Sequence, residues 1–493
     1  MRNEVQLIAY ADRLGGTLPA LADVLSGPLG GLFGGVHVLP FYVPYDGVDA
    51  GFDPVDHLTV DPRLGSWSDL GRLGAGMDGA PVEIVADLIV NHASDRSPQL
   101  RDVVARGAGS PFARMFLTYD KVFADGATEA DLLRVVRPRP GLPFTSVLFG
   151  SRPRLAWTTF TSAQIDLDVA DPTARAYLSS VLRRLSAAGV TLVRLDAIGY
   201  AVKTAGTSCF MTPRTLAFID AIATEAHALS MKVLTEVHAH HRYATEAARH
   251  ADRVYDFVLA PLVLHALFTG DTGPLRGWLG RRPANAVTVL DTHDGIGMVD
   301  AGPGRDGDSG LLSPAQIDAV VQRISANSGG TSRSSVARGS GGAGVYQVSS
   351  TLYDALGADD RLMLLARAVQ FFTPGVPQVY YVGLLAGRNA AVEPGADARE
   401  INRRRYSGAE LEGALRQPVV RALGRLIRFR NAHPAFGGKF TVAEGGPGEL
   451  VLTWRAGAEL AELEISPGDG TYRITFSAAG ELLTVKDAAD LPH

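Results

Sequence analysis

The sequence predicts an α/β protein built on a (β/α)8 TIM barrel with inserted subdomains and a small C-terminal antiparallel β domain. Unbroken apolar runs alternate with helical segments along most of the chain, a pattern typical of parallel strands covered on both faces. Three of these runs lead into carboxylates, Asp196, Glu236 and Asp294. Their separations of 40 and 58 residues correspond to one and two βα units of about 31 residues.

Eight apolar segments are expected to form the barrel. In chain order they are Val5–Tyr10, Gly35–Pro40, Val82–Val90, Gly189–Leu195, Lys232–Thr235, Val254–Val258, Ala286–Leu290 and Val376–Tyr381. Two intervening helices have clear start signals, because Asp171 precedes Pro172 and Thr212 precedes Pro213, which places a capping residue before a first-turn proline. A further helical segment is expected from Thr17 to Leu25.

The alternation of apolar runs and helical segments is interrupted in two places, and it gives way to a different pattern at the C-terminus. We expect barrel segments at residues 1–92, 169–299 and 351–435, an inserted subdomain at 93–168, a second insertion at 300–350 and a C-terminal β domain at 436–493. The second insertion is expected to be irregular, and its Ser/Gly-rich core at 328–344 suits either a linker or a mobile active-site loop. Short alternating segments after residue 434 predict antiparallel strands.

Composition excludes several classes of protein. With 46% hydrophobic and 20% charged residues among 493, the chain suits a globular fold with a large core. A net charge of −5 disfavours nucleic acid or an anionic membrane as main partner. Cys209 is the single cysteine, so no intramolecular disulfide forms and a cytoplasmic location is expected. No run approaches a membrane span, and the start of the chain lacks a signal-peptide pattern.

Asp196 is the candidate nucleophile, because it ends a buried strand and would lie at the rim where such barrels hold their chemistry. Arg194 lies two residues earlier on the same strand. A purely structural ion pair between them is the alternative.

Four segments resemble the signature regions of the α-amylase clan in order and spacing: DLIVNH from Asp87, RLDAIGY from Arg194, TEVH from Thr235 and DTHDG from Asp291. Further segments, among them VQLIAYADRLGG, DAGFDPVDH, RPRPGLPF, AGTSCFMTP and REINR, resemble the sucrose phosphorylase family over nearly the whole chain. Each motif is weak or moderate alone, and together they are specific.

The resemblance implies a retaining double displacement on an α-glucoside. Asp196 would form a covalent glucosyl enzyme, and Glu236 would protonate the leaving oxygen and then serve as base. Asp294 would stay ionised and stabilise the transition state. Arg194, by pairing with Asp196, is expected to hold the pKa of that carboxyl low, whereas Glu236 is expected in a less solvated place where it arrives protonated.

The resemblance also assigns the residues that hold the glucosyl group. The hydroxyl clamp would be Asp49, His92, His293 and Arg399, with Phe52 and Phe160 as aromatic walls. Ordinary core packing is the alternative for His92, Phe52 and Phe160. A solvated basic face shared with Arg403, Arg404 and Arg405 is the alternative for Arg399.

Phosphorolysis requires that phosphate outcompete water near Asp196. The family residues in that role match Arg139, His238 and Tyr346, with Gln347 beside them. For Arg139 a surface arginine in a Pro-rich turn is the alternative.

Two departures from the family concern the leaving group. Val136 stands where a Tyr is usual, and Gly344 stands where the family's loop carries an Asp, while Arg333 and Arg338 are added nearby. Loss of a carboxylate and gain of guanidinium groups would favour a phosphorylated leaving group. The substrate is therefore expected to be sucrose 6F-phosphate, with plain sucrose as the alternative; glycerol and glycerate glucosides also remain open.

Other classes are also weighed. An α-glucoside hydrolase or transglucosylase would use the same three acids, and a silent scaffold protein is disfavoured because the triad is complete. The spacing of His238, His240 and His241 does not suit an HExxH metal site, so no metal and no cofactor are expected. The expected partners are small-molecule substrates, for a monomer or homodimer.

Overall fold

The computed structural model describes residues 1–46, 49–75, 82–138, 141–305, 307–336, 345–393, 395–446 and 448–492. The strands within these ranges are, in chain order, β1 Gln6–Ala9, β2 Gly35–Val38, β3 Tyr42–Pro44, β4 Pro54–Val60, β5 Glu83–Ile89, β6 His92–Ser94, β7 Phe144–Phe149, β8 Arg152–Trp157, β9 Gln164–Asp166, β10 Leu192–Asp196, β11 Lys232–Thr235, β12 Arg253–Asp256, β13 Ala286–Thr288, β14 Ile296–Gly297, β15 Arg333–Val336, β16 Val345–Ser349, β17 Val376–Tyr380, β18 Lys439–Glu444, β19 Leu450–Ala456, β20 Glu459–Ser466, β21 Thr471–Ala478 and β22 Glu481–Val485.

The helices accompany these strands along the same ranges. They are α1 Leu18–Ser26, α2 Trp67–Ala75, α3 Pro98–Arg106, α4 Tyr119–Val122, α5 Glu129–Arg134, α6 Pro172–Ala187, α7 Pro213–Ala228, α8 His241–Ala247, α9 Leu259–Thr269, α10 Gly273–Leu279, α11 Pro314–Asn327, α12 Leu352–Ala355, α13 Asp360–Phe372, α14 Tyr381–Leu384, α15 Gly408–Leu415 and α16 Pro418–Ala432. Short 3-10 turns lie at Gly107–Gly109, Ile198–Tyr200, Ala398–Asn402, Pro434–Gly437, Pro467–Asp469 and Ala488–Asp490.

Eight parallel strands close into a barrel in the order β1, β2, β5, β10, β11, β12, β13 and β17, with β17 paired back to β1. Each coincides with one of the eight apolar segments selected from the sequence, so the predicted barrel is confirmed. The apolar runs are continuous because both faces are buried, the inner face by barrel side chains and the outer face by helices.

The predicted helix starts agree with the structure. Asp171 accepts from the Thr173 N–H at the start of α6, and Thr212 accepts from the Thr215 N–H at the start of α7. These caps satisfy amide groups that have no partner within the helix. Helix α6 packs against β5, and α7 packs against β11, the strand that leads into Glu236.

The expectation of an irregular segment at residues 300–350 is wrong in part, because α11 occupies Pro314–Asn327. Ser313 caps this helix, Pro314 begins it, and Gln316 completes a reciprocal capping box with Ser313. The neighbouring Ser/Gly-rich sequence obscured this signal. Next to the helix, β14, β16 and β15 form a small antiparallel sheet.

The C-terminal unit is a five-stranded antiparallel sheet, β18 to β22 in chain order, as predicted. It contacts the barrel through its inner face: Trp454 on β19 donates from Nε1 to the Phe372 carbonyl at 2.7 Å, which anchors the sheet to the end of α13. None of the helices in the described part of the chain is long and apolar enough to cross a membrane.

A buried polar cluster next to β12 gives a stability prediction. The Asp256 carboxylate, 1% exposed, accepts from Arg282 Nε at 2.7 Å and from Trp278 Nε1 at 3.1 Å. Asp256→Asn removes the charge from this arrangement, and we expect a loss of about 2 kcal/mol in the free energy of unfolding. Urea unfolding would measure it. The exposed Asp318→Asn on α11 serves as control, and equal stabilities of the two variants would contradict the prediction.

Candidate active site

A cavity of about 330 Å³ opens at the carboxyl ends of the barrel strands. Twelve of the site residues predicted from the sequence line it: Asp49, Phe52, His92, Phe160, Asp196, Glu236, His238, His293, Asp294, Tyr346, Gln347 and Arg399. Arg194 lies beneath them with a side chain only 2% exposed. The structure therefore brings together groups spread over 350 residues of sequence, which is how barrels of this type build their sites.

The three acids reach the cavity from neighbouring strands. Asp196 is the last residue of β10, and Glu236 directly follows β11, which pairs with β10 in parallel register. Asp294 lies on the loop after β13. Because the carboxyl ends of parallel barrel strands meet at one rim, the three carboxylates face the same space.

Arg194 links two of these acids, Asp196 and Glu236, to a further carboxylate, Asp87, which lies deeper in the barrel. Its Nη1 contacts the carboxylate of Asp87 and lies 3.1 Å from Asp196 Oδ1, while its Nη2 lies 2.8 Å from Glu236 Oε1. Asp87 also contacts His37 Nε2 at 3.0 Å. One guanidinium therefore serves three buried carboxylates, and it fixes the relative positions of Asp196 and Glu236.

The pKa of Asp196 differs from the expectation that Arg194 alone would hold it low. Burial and the nearby Glu236 carboxylate raise the pKa of Asp196 well above its usual value, and Arg194 opposes them only in part. The physical reason is that Arg194 is shared among three carboxylates, so its charge does not offset their mutual repulsion and desolvation. In the free protein Asp196 therefore retains a proton more readily than a solvated aspartate would.

This pKa direction predicts the acid limb of the pH–rate profile. A carboxylate must be ionised to attack as a nucleophile, so if Asp196 has this role kcat/KM is expected to rise with pH in a range above about 4, the ordinary value for an aspartate. This rise is tested by measuring kcat/KM against pH with any α-glucoside that the protein cleaves. An acid limb centred at or below that ordinary value would contradict the raised pKa of Asp196.

Asp294 is held as an anion by two arginines. Arg399 Nη1 lies 3.0 Å and Arg403 Nη2 3.4 Å from Asp294 Oδ1. Burial disfavours the charged form, but His293, Arg399 and Arg403 outweigh it and hold the pKa of Asp294 well below its usual range. An acid this firmly ionised suits the stabilisation of positive charge on a sugar ring.

Arg399 also orders the opposite side of the cavity. Its Nη2 contacts Asp49 Oδ1 at 2.6 Å and Asp397 Oδ2 at 2.7 Å. Against burial, Arg399, Arg403 and the Gln164 amide lower the pKa of Asp49 to about 2. The side chain of Arg399 is 13% exposed, so the solvated basic face proposed as its alternative does not describe it. Two ionised carboxylates and a guanidinium at this end are suited to binding sugar hydroxyls.

Aromatic rings form the remaining walls. Phe52 stacks on the His293 ring with centroids 4.6 Å apart, and its carbonyl lies 2.8 Å from His92 Nε2. Phe160 meets His92 edge to face at 5.4 Å. Flat apolar faces beside paired carboxylates are a common surface for a pyranose ring, which has both apolar C–H faces and equatorial hydroxyls.

Glu236 is held by the loop that follows Asp196. The Ala197 N–H donates to Glu236 Oε2 at 3.0 Å, and Ala197 has a φ of +52°, a left-handed conformation that a non-glycine residue adopts only when held there. His238 Nε2 lies 3.7 Å from Glu236 Oε1. The backbone amide directly after Asp196 is thus a donor to Glu236.

Several site residues were missed or left unassigned by the sequence analysis. Asp87 begins the DLIVNH motif without an assigned role, and Gln164 is not singled out from the sequence. In the structure Asp87 holds Arg194, and Gln164 Nε2 donates to Asp49 Oδ2 at 2.8 Å. Arg403 was grouped with Arg404 and Arg405, but its side chain is fully buried, whereas theirs are 41% and 64% exposed. Three consecutive arginines give no sequence signal for this difference, which tertiary contacts create.

Only some of the residues predicted to bind phosphate or the leaving group are found at the cavity. His238, Tyr346 and Gln347 line the cavity. Arg333 does not line it; its exposed guanidinium donates to the carbonyls of its own turn, Gly330 at 2.9 Å among them. Arg139, Arg338 and the departure at Gly344 lie outside the described residues.

Two of the acids and His238 converge on one place in the cavity. Polar atoms of Glu236, His238 and Asp294 lie within 4.8 Å of one another, and in the described ranges they are the only such group of three or more His, Cys, Asp or Glu residues. Arg399 and Arg403 already contact Asp294, so the protein itself supplies positive charge there.

Comparisons with known proteins agree with this geometry. Residues 32–266 match the α-amylase catalytic domain family. The chain is 51% identical to a sucrose phosphorylase of Agrobacterium vitis, over 97% of this chain and 98% of that protein. It is 46% identical to a sucrose phosphorylase of Bifidobacterium adolescentis, over 95% and 93% of the two chains.

A solved structure extends the comparison to the fold. The crystal structure of a sucrose 6F-phosphate phosphorylase from Thermoanaerobacter thermosaccharolyticum superposes with a TM-score of 0.91 at 37% identity, covering 99% of both chains. The chain thus belongs to the sucrose phosphorylase family, a group of glycosyl-transferring phosphorylases within the α-amylase family.

Proposed function

We propose that this protein cleaves a sucrose-type α-glucoside with inorganic phosphate and releases α-glucose 1-phosphate with retention of configuration. The observation that carries the proposal is the pair Asp196 and Glu236, held by one guanidinium on adjacent strands beside a clamp for a hexose. Retaining glycosidases place a nucleophile and an acid/base in this relationship.

In the first half-reaction, Asp196 attacks the anomeric carbon while Glu236 gives its proton to the glycosidic oxygen. The bond to the leaving group breaks, and a neutral ester joins the glucosyl carbon to Asp196. Asp294, kept ionised by Arg399 and Arg403, stabilises the positive charge that develops on the ring.

In the second half-reaction, a phosphate oxygen attacks the same carbon. Its proton passes to Glu236, the ester electrons return to Asp196, and glucose 1-phosphate leaves as a dianion. His238 and Tyr346, which line the cavity, and Arg139, assigned by its family motif, are proposed to bind the incoming phosphate. Water attacking in its place would give free glucose.

The test is incubation of purified protein with inorganic phosphate and either sucrose or sucrose 6F-phosphate, with glucose 1-phosphate and free glucose both quantified. Glucose 1-phosphate as the main product is expected. Free glucose alone would identify the hydrolase alternative. Turnover of neither donor, with turnover of a glycerol or glycerate glucoside, would place the protein with the glucosylglycerol or glucosylglycerate phosphorylases among its relatives.

Two leaving groups have support. Fructose 6-phosphate is favoured by the departures at Val136 and Gly344 and by a second cavity of about 280 Å³ that adjoins the first and has Val136 and Arg305 on its wall. Fructose is favoured by the 51% and 46% identical sucrose phosphorylases and by Arg333, which donates to its own turn. The ratio of kcat/KM for the two donors decides between them.

The role assigned to the added arginines has its own test. If they bind a phosphorylated leaving group, Arg333→Ala and Arg338→Ala should each lower kcat/KM for sucrose 6F-phosphate roughly tenfold, the scale of one charge-assisted hydrogen bond, and leave sucrose unaffected. Unchanged preference in both variants would remove these arginines from the proposal.

A further inference from the structure

A buried carboxylate outside the catalytic triad contacts the histidine beside Glu236. Asp300, 2% exposed at its side chain, follows β14 and places Oδ2 3.4 Å from His238 Nδ1 and Oδ1 3.1 Å from the Ala239 N–H. Its own carbonyl accepts from the His241 N–H at 3.1 Å. Three contacts therefore hold Asp300 against the loop after β11, the loop that begins with Glu236.

The imidazole of His238 is held on its other sides as well. It stacks on Phe257 with ring centroids 3.7 Å apart, so the ring plane is set. Its second nitrogen, Nε2, faces Glu236 Oε1 at 3.7 Å and makes no hydrogen bond within the described residues. With Nδ1 on Asp300, the His238 side chain lines the cavity where a second substrate would meet the glucosyl carbon, while its unpaired Nε2 is buried in the wall beside Glu236.

Local packing leaves room for this contact. A Cβ at Gly297 would lie 2.8 Å from Asp300 Oδ2 and 3.5 Å from the His238 ring. The segment is also tied to the opposite wall, because the Met298 and Val299 N–H groups both donate to the Tyr346 carbonyl. Glycine at this position therefore allows the carboxylate and the imidazole to meet next to Tyr346.

We propose that Asp300 is a positioning residue that keeps His238 in the doubly protonated, cationic form, and that this charge lets phosphate outcompete water for the glucosyl enzyme. The inference rests on the proposed function and deepens it. After Glu236 has given up its proton, incoming phosphate faces the anions Glu236, Asp294 and Asp300. A cation in the cavity wall offsets this repulsion, whereas neutral water needs no such group.

The ionisation of His238 is set by identifiable neighbours. The titratable groups facing it are Glu236 on its own loop, Asp294 after β13, Asp300 after β14 and Tyr346 on β16, while Phe257 after β12 is uncharged. Burial lowers the pKa of His238, but Asp300 and Glu236 outweigh burial and raise it. Removing the Asp300 charge should therefore lower the pH at which the imidazolium is lost.

The experiment uses α-glucosyl fluoride as donor, since fluoride leaves without help from a leaving-group site. Glucose 1-phosphate and glucose are measured over a range of inorganic phosphate and of pH. In Asp300→Asn, the phosphate concentration that gives equal amounts of both products should rise roughly tenfold, the effect of about one pKa unit. Hydrolysis without phosphate should stay near the wild-type rate, and phosphate capture should decline at a lower pH.

Two further variants separate positioning from general damage. Gly297→Ala, which pushes the carboxylate away from the ring, should move the partition in the same direction. Asp125→Asn removes a negative charge from an exposed turn that lines neither cavity and should leave the partition unchanged. Equal loss of both products in Asp300→Asn, or a partition and pH profile like those of the wild type, would overturn the inference.

The wild-type protein in the same assay separates this inference from the proposed function. Glucose as its only product, even at high phosphate, would overturn the proposed function together with the inference. Wild-type phosphate capture with no change of partition in Asp300→Asn and Gly297→Ala would overturn the inference alone.

Discussion

Replacing Asp196 by asparagine is expected to lower kcat with any α-glucoside by roughly five powers of ten, the scale seen when a covalent nucleophile is removed. Asparagine has nearly the same shape and still accepts from Arg194, so the cavity should persist. What is lost is the carboxylate that forms the glucosyl ester. Initial rates with α-glucosyl fluoride and mass spectrometry of the intact protein measure both effects, because the glucosyl adduct should vanish in the variant.

A smaller substitution at the same position identifies the role of Asp196. In Asp196→Gly, azide fits where the carboxylate was and attacks the donor from the face opposite the leaving group, so α-glucosyl fluoride should yield β-glucosyl azide. No azide product, with activity kept in Asp196→Asn, would show that Asp196 is the structural ion-pair partner of Arg194 and not the nucleophile.

The same Asp196→Asn substitution should stabilise the fold at neutral pH. Burial and Glu236 raise the pKa of Asp196 in the folded protein, and in the unfolded chain it has its ordinary value of about 3.9. A group of this kind contributes stability only where it is protonated, and that contribution is lost as pH rises through the folded-state pKa. The variant should therefore melt at a higher temperature than the wild type at pH 7, and the difference should shrink towards pH 4.

The parts of this molecule that sequence alone predicts are those set by local pattern. The barrel strands are continuous apolar runs, and helices α6 and α7 begin at a capping residue followed by proline. Helix α11 carries the same kind of signal in Ser313, Pro314 and Gln316, but the Ser/Gly-rich sequence after it favours an irregular segment and conceals that signal.

The features of the site also divide into those that the sequence alone predicts and those that depend on tertiary contacts. Asp196, Glu236 and Asp294 could be selected because each follows an apolar run, and the family motifs located the clamp. The ionisation of Asp196 could not be predicted, since it depends on how many carboxylates share Arg194, and Asp87 enters that set from β5, more than 100 residues earlier in the chain. The burial of Arg403 depends in the same way on Asp294 and the His293 carbonyl.

Asp300 is a further residue whose importance the sequence alone does not indicate. It is one acidic residue in a loop that follows DTHDG, and nothing in its neighbours distinguishes it from Asp306 or Asp308. Its relation to His238 arises from tertiary contacts, because the segment after β14 meets the loop after β11, where the Ala239 and His241 N–H groups donate to Asp300. Positioning residues of this kind are visible only when the contacts of the catalytic groups are followed outward.

Replacing Glu236 by glutamine is expected to separate the two half-reactions by leaving group. Sucrose-type donors need a proton on the departing oxygen, so their kcat/KM should fall about 10³-fold, within the range that general acid catalysis contributes. Fluoride leaves unaided, so α-glucosyl fluoride should still form the glucosyl enzyme, which then accumulates because no base activates phosphate or water.

Azide needs no base, and by attacking the β-linked ester from the opposite face it should restore turnover and give α-glucosyl azide. The α product here and the β product from Asp196→Gly would together assign the acid/base to Glu236 and the nucleophile to Asp196, because the two azides attack opposite faces of the same carbon. The same anomer from both variants would mean that the two carboxylates around Arg194 do not have these separate roles.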